Sequence, residues 1–399
     1  MALDLSNCLK TMVEKHASDL HLKVGTPPIV RKNNSLALLF KDHANLTQND
    51  IEKAIEPYLT TYNKSKLVED KQLDFSHGIS GLGRFRFNIF YQRGTLRIVV
   101  RNIPFEIPDS TTLNLPHSFK KLVEKYQDGL ILVTGATGSG KSTTVVSMLN
   151  HINKTQSRHI ITIEDPIEFL IQDHRSLITQ RELGTDYVNY EMALKSSLRQ
   201  DPDIIFFGEL RDRISVETAL NAANTGHLVI STLHTNNVSE TINRILGIFE
   251  RGKGKHIRMQ FASCLRAIIC QKLLLKKDSS GFIPAIEILY NNKRIKSLLE
   301  DETKGSSALY EALESSKEGW EMQSFNQHLI ELESKNLISK ETALTASNSP
   351  DKLKLHFEGF GHDNNQGLKS KEDFIEASEV QGNLPDMEQA FKTKIKKIS

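Results

Sequence analysis

Apolar and polar positions recur along this chain at two periods, and the change from one to the other divides it. Within residues 3–17, Leu5, Leu9, Met12 and Val13 fall at helical spacing, and Ser18 to Leu22 then alternates as a strand does. Thr47 stands where an N-cap belongs, ahead of a second helix with Ile51, Ala54, Ile55 and Leu59 as its inner stripe. From Gly83 to Tyr91, Phe85, Phe87 and Ile89 alternate with Arg84, Arg86 and Asn88, and a partner strand follows from Thr95 to Asn102. Arg93-Gly94 between them predicts a hairpin. The arginine face of the first strand is either an ordinary solvated face or a binding one, since a guanidinium suits a phosphate across a subunit boundary.

Prolines at 104, 108 and 116 halt both periods and predict a linker over residues 104–116. Beyond them strands and helices take turns: strands at 130–134, 159–164, 204–207 and 228–233, helices at 141–153 and 189–199. Continuous apolar strands separated by helices predict a parallel sheet covered on both faces, with its ligand at the carboxyl ends of the strands. The expected organisation is a domain over 1–103, the linker, a larger domain over 117–360 and a tail over 361–399. In that tail, Leu384, Met387, Phe391, Ile395 and Ile398 recur at helical spacing among lysines. Such a helix suits a partner or an anionic surface; the blander reading is a frayed end that packs on its own domain or stays disordered.

Composition changes this picture little. A length of 399 residues fits two or three domains. A net charge of +2 gives no global reason to expect nucleic acid as a partner. No run of 18 apolar residues occurs and the first residues lack a signal peptide's apolar core, so the expected place is the cytoplasm, free or at the cytosolic face of a membrane. Cys8, Cys264 and Cys270 are far apart or on expected buried helix faces, which fits a reducing compartment, and without a CxxC pair a structural zinc is not expected.

The chemistry begins where the strand at 130–134 runs into Gly135-Ala136-Thr137-Gly138-Ser139-Gly140-Lys141-Ser142-Thr143. This is a complete phosphate-binding loop. Its glycines let successive N–H groups turn toward β- and γ-phosphates, Lys141 adds a charge and Ser142 a hydroxyl for Mg²⁺. The helix that follows presents its positive end to the same anion. Three further strand ends should meet it. The second ends in Glu164, Asp165 and Glu168, where one carboxylate can take a proton from an attacking water. The third, Ile204 to Phe207, ends in Gly208-Glu209, a Walker B pattern with glycine at the usual aspartate, so the metal should rest mainly on Ser142 and reach Glu209 through water. Arg211 and Asp212 follow, close enough to pair with each other. The fourth runs from His227 to Leu233 and is followed by His234, a candidate sensor of the γ-phosphate, while His227 either joins the site or secures the strand's start.

Together these segments resemble the secretion and pilus motor ATPases, most closely the PilT/PilU retraction group. The resemblance is carried by the loop at 135–142, ITIEDPIEF at 161–169, DPDIIFFGELRD at 201–212 and TGHLVISTLHTN at 225–236. ASDLHL at 17–22, GRFRFNIF at 83–90 and a helix FASCLRAIICQKLL at 261–274 support it. It implies a RecA-like ATPase domain preceded by a smaller α+β, PAS-like domain, in a homohexameric ring that hydrolyses ATP with Mg²⁺ to retract a type IV pilus. It further implies that Glu168 activates water, that Glu209 is the Walker B glutamate, and that His227 and His234 are the box histidines. Arg84, Arg86, Arg97 and Arg101 become the candidates to reach a neighbour's nucleotide. Implied partners are the pilus platform protein of the inner membrane and a paralogous retraction ATPase. No four-cysteine insert of the assembly motors is present. Asn326 in the segment 317–327, the loose match at Arg294 to Leu299 and the stretch SPDKLKLHF at 349–357 lean toward the PilU side. A type IV secretion ATPase or a nucleic-acid translocase are the alternatives.

Overall fold

The prolines at 104, 108 and 116 separate two sheets of different construction. The structure, a computed structural model, describes residues 3–32, 35–103, 106–116, 118–249, 254–303, 306–316 and 322–359. The first sheet is antiparallel and its elements run α1 (Leu5–Glu14), β1 (Asp19–Lys23), β2 (Ile29–Lys32), β3 (Ser35–Leu38), α2 (Gln48–Ile55), α3 (Thr61–Asp70), β4 (Gln72–Ile79), β5 (Gly83–Gln92) and β6 (Thr95–Ile103). Its strand order is β3-β2-β1-β6-β5-β4. Thr47 caps α2 as expected, in a reciprocal box with Asp50. Arg93 and Gly94 both take positive φ, the geometry a tight β5–β6 hairpin needs. Leu20, Leu22, Phe85, Phe87, Ile89, Ile98 and Val100 leave solvent completely against the helices, so the alternate residues of the same strands form a polar face rich in arginine.

The second sheet is built from α4 (Ser118–Lys125), β7 (Gly129–Thr134), α5 (Lys141–Thr155), β8 (His159–Glu164), β9 (Leu177–Glu182), α6 (Tyr190–Ser197), β10 (Ile204–Phe207), α7 (Arg213–Asn224), β11 (Leu228–Leu233), α8 (Val238–Gly247), α9 (Gly254–Cys264), β12 (Leu265–Leu275) and β13 (Phe282–Tyr290). Its order is β13-β12-β7-β11-β10-β8-β9. Every pairing is parallel except the β12–β13 hairpin. The four expected strands are there, wholly buried apart from a half-covered His159. Thus the α/β reading holds, with an α+β sheet ahead of it.

One expectation fails. The stretch FASCLRAIICQKLL is not a helix: α9 ends at Cys264 and β12 carries the rest, pairing in parallel with β7 on one side and antiparallel with β13 on the other. Cys270 is therefore buried in a strand, not on a helix face. A short apolar run reads alike in both states, and the open edge of β7 decides between them.

After β13 come α10 (Lys293–Glu300), α11 (Ser306–Glu314), α12 (Phe325–Ser334) and α13 (Lys340–Ala346). Glu287 of β13, fully buried, accepts from the N–H of Val238 at the start of α8 (2.8 Å) and of Phe325 at the start of α12 (3.4 Å). Burial nevertheless pushes its carboxyl up from the ordinary 4.5 to about 7. The folded chain therefore holds a proton there that the unfolded chain has released, and stability falls as pH rises from about 4.5 to about 7, then levels. Glu287→Gln is expected to remove this slope, read as the difference between the urea midpoints of variant and native protein across that window.

Both sheets belong to one unit that runs to Asn348, and Ser349 opens a second, in which Pro350–Phe357 is a helix. The expected tail helix at 384–398 and residues 317–321 of the motif around Asn326 lie outside the described residues. No helix among the described residues is long and apolar enough to cross a membrane.

Candidate nucleotide site

The strand β7 delivers its chain to the sheet's carboxyl edge, and the loop that leaves it curls back into α5. Gly135, at φ +149°, has no room for a side chain: a Cβ would lie 2.3 Å from the Gln271 carbonyl and 2.5 Å from Ser139 Oγ. Gln271 of β12 braces the loop from outside. Its Nε2 donates to the Ser139 carbonyl (2.7 Å) and its Oε1 accepts from Thr144 Oγ1 (2.8 Å). The sequence reading missed this residue, because the segment that carries it was taken for a helix. Gln271→Ala should leave the loop without its clamp and weaken nucleotide binding roughly tenfold, as a lost pair of buried hydrogen bonds implies. Titration with a fluorescent nucleotide checks this.

Lys141 lies at the first turn of α5 and is almost fully buried. Its Nζ donates to the carbonyls of Gly135 (2.8 Å) and Ala136 (2.9 Å) and lies 3.4 Å from His234 Nδ1. Burial lowers its pKa, and the carboxylates of Glu209 and Glu168 act against that. The loop opens on a cleft of about 720 Å³ whose walls include Thr137, Gly138, Gly140, Ser142 and Thr143 together with Glu164, Glu168, Glu209 and His234. Four strand ends thus converge, as the parallel-sheet rule requires.

The three carboxylates after β8 have different surroundings. Glu164 is buried, accepts from Thr162 Oγ1 (2.6 Å) and Gln180 Nε2 (3.1 Å), and is pushed up to about 7 by burial. Asp165 pairs with Arg211 (3.2 Å). Glu168 stands exposed in the cleft wall. Asp165 and Glu168 are both exposed on the cleft wall, but Asp165 is engaged by Arg211, which leaves Glu168 as the candidate to deprotonate water.

Past β10, a Cβ on Gly208 would press on the Ile163 carbonyl of β8 at 3.1 Å, so the usual Walker B aspartate has little space here. Glu209 follows, with Oε2 accepting from Arg211 Nε (2.7 Å) and Oε1 3.4 Å from His234 Nε2. His234 therefore bridges Lys141 and Glu209. Of the two readings open for Arg211, a pair with Asp212 does not occur. Asp212 instead caps α7, accepting from Ser215 N–H, and Arg211 turns to Glu209 and Asp165.

Other expected site residues lie elsewhere in the protomer. His227 precedes β11 at the sheet's opposite edge, its Nδ1 near the Ala222 carbonyl (3.0 Å) and Thr225 Oγ1 (3.2 Å), and so secures the strand's start and does not line this cleft. On the first sheet, Arg101 pairs with Asp19 (2.9 Å) and Arg86 with Asp74 (3.5 Å). Arg97 donates to Gln92 Oε1 and lies over the Phe90 ring. Arg84 pairs with Glu182 of the second sheet (3.2 Å).

Comparison with known proteins agrees with this construction. A family model described as type II/IV secretion system protein matches residues 3–352. The type IV pilus ATPase PilU of Pseudomonas aeruginosa is 35% identical, the match covering 88% of this chain and 91% of that protein. The type IV pilus retractation ATPase PilT of the same organism is also 35% identical, covering 88% and 99%. Among solved structures, a crystal structure of the pilus retraction motor PilT with bound ADP superposes with a TM-score of 0.82 at 43% identity, covering 88% of this chain and 99% of that one.

Proposed function

This chain belongs to the type II/IV secretion system protein family, and on that premise we propose that it is an ATP-hydrolysing motor that powers retraction of a type IV pilus. The observation that carries this is the single cleft in which a complete phosphate loop meets Glu168 and Glu209 from two other strands. Similarity to PilT and PilU over 88% of the chain supports the pilus as the load.

ATP is the substrate. The loop N–H groups and Lys141 hold its phosphates, Glu168 takes the proton of the attacking water, and His234 reports the γ-phosphate to Glu209. Ser142 and Glu209 offer the hard oxygen donors that suit Mg²⁺, and the described residues contain no cluster of three His, Cys, Asp or Glu side chains that could hold a metal by themselves. Ser142 would hold the ion, with Glu209 reaching it through water, and when bound it would supply positive charge against the phosphates. The working assembly in this reading is a homohexamer at the cytosolic face of the inner membrane, docked on the pilus platform protein. Arg86, Arg97 and Arg101 are its candidates to reach a neighbouring protomer's nucleotide. In this reading residues 104–116 are the joint between the two sheets.

The test is a count of surface pili together with twitching motility in the source bacterium carrying Lys141→Ala at the native locus. Excess pili without movement is the expected result for a principal retraction motor; near-normal pili with impaired movement would assign an accessory motor working beside a paralogue. Loss of pili would overturn retraction in favour of assembly, and no pilus phenotype would overturn it in favour of a secretion system.

A further inference from the structure

The ion pair between Arg84 and Glu182 joins the two sheets at a point of consequence for the cleft. Arg84 is the second residue of β5 and stands opposite Ile103, the last residue of the first sheet before the proline segment. Glu182 ends β9, beside Glu164 of β8. It is 2% exposed, and its Oε2 accepts twice: from Arg84 Nη2 at 3.2 Å and from the main-chain N–H of Ile167 at 3.1 Å. Ile167 is buried and is the residue immediately before Glu168. A single carboxylate oxygen thus ties the arginine of one sheet to the backbone that carries the water-activating glutamate of the other.

We propose that Glu182 is a positioning residue for Glu168, and that Arg84 serves it within its own chain and does not reach a neighbour's nucleotide. The inference rests on the proposed hydrolysis for its kinetic part only. The physical reason is the cost of an uncompensated buried charge. With Arg84 in place, Glu182 is paired and free to hold the Ile167 N–H. Without it, the carboxylate must seek water or a proton, and the N–H loses its acceptor or its geometry. Glu168 then loses its fixed place.

The test uses the full chain as Arg84→Gln, Glu182→Gln and the double variant. Amide exchange of the peptide spanning residues 165–169 is followed by mass spectrometry, and kcat and KM for ATP are measured alongside. Arg84→Gln is expected to speed exchange there about tenfold, the loss of one hydrogen bond, while β11 stays protected. It should lower kcat roughly 10- to 100-fold with KM near native, as a small misplacement of a reacting group does. Glu182→Gln keeps an oxygen for Ile167 and removes the charge, so its effect should be smaller, and the double variant should be no worse than Glu182→Gln alone.

Unchanged exchange in Arg84→Gln would overturn the proposal, as would a double variant as impaired as Arg84→Gln. Faster exchange throughout the protein would reduce the pair to a general structural contact and overturn it too. Recovery of Arg84→Gln turnover on mixing with Lys141→Ala protein would place Arg84 in a neighbour's site and overturn it by a different route. A native protein without ATP turnover would refute the proposed function, while the exchange result would still decide the coupling.

Discussion

Lys141→Ala protein is expected to bind ATP roughly 10- to 100-fold more weakly than the native chain and to release no phosphate above background. The first figure follows from the loss of a charge-assisted hydrogen bond to phosphate, about 1.5–3 kcal/mol. Turnover falls further, because charge on the γ-phosphate oxygens grows toward the transition state, and removal of one donor aimed at such charge typically costs about 10²–10³ in rate. Lys141 also keeps the loop in shape. Its ammonium ties the carbonyls of Gly135 and Ala136, and the buried group would be replaced by a methyl that ties nothing. The helix itself should survive, since Val145, Val146, Leu149 and Ile152 hold α5 in the core regardless of residue 141. Fluorescent-nucleotide titration and a phosphate-release assay at saturating ATP check both parts, and near-normal turnover would remove Lys141 from the site.

Glu168→Gln should separate binding from chemistry. The amide keeps the shape of the side chain but has no lone pair basic enough to take a proton from water, so turnover should fall roughly 10²- to 10⁴-fold with nucleotide affinity near native. Glu209→Gln is expected to stop turnover as well, by another route. It removes the charge that holds Arg211 at 2.7 Å and faces His234 at 3.4 Å, and so unties the strand-end network at the cleft. Single-turnover measurement after mixing with ATP distinguishes the two, because a variant that lost only the base still accumulates bound ATP. Glu164 is no substitute for Glu168. Its carboxyl is buried, already accepts from Thr162 and Gln180, and is pushed up to about 7.

Much of this site was legible in the sequence because its parts are local. The loop 135–142, the apolar strands ahead of it and the strand-end carboxylates are contiguous patterns, and the rule for parallel sheets brings them to one edge. Thr47 and the Arg93-Gly94 turn were legible for the same reason. What escaped depends on partners distant in sequence. The run from Leu265 to Leu275 is a strand only because β7 has a free edge for it, and with the helix reading the Gln271 brace disappeared as well. β9, whose residues Thr179, Gln180 and Arg181 are polar, carries none of the apolar run of a buried strand, since it closes the sheet on one side only. Arg84 looked like one more guanidinium on a polar face, and its partner 98 residues onward could not be read from that alternation. Arg211 and Asp212 illustrate the converse, since a pairing of these sequence neighbours stayed open until the fold showed that a helix needs Asp212 as its cap.

The brace from Gln271 to Ser139 spans 132 residues, and this has a consequence for how the protein is made. As the chain leaves the ribosome, the phosphate loop emerges early, yet β7 still lacks both of its neighbours, β11 and β12. Contacts so distant in sequence form late and slowly. A nascent chain interrupted before β12 would display the whole loop sequence and still have no cradle for a phosphate. Nucleotide capture therefore marks the completion of this sheet, and ATP in the cell can stabilise only molecules whose synthesis has passed that strand.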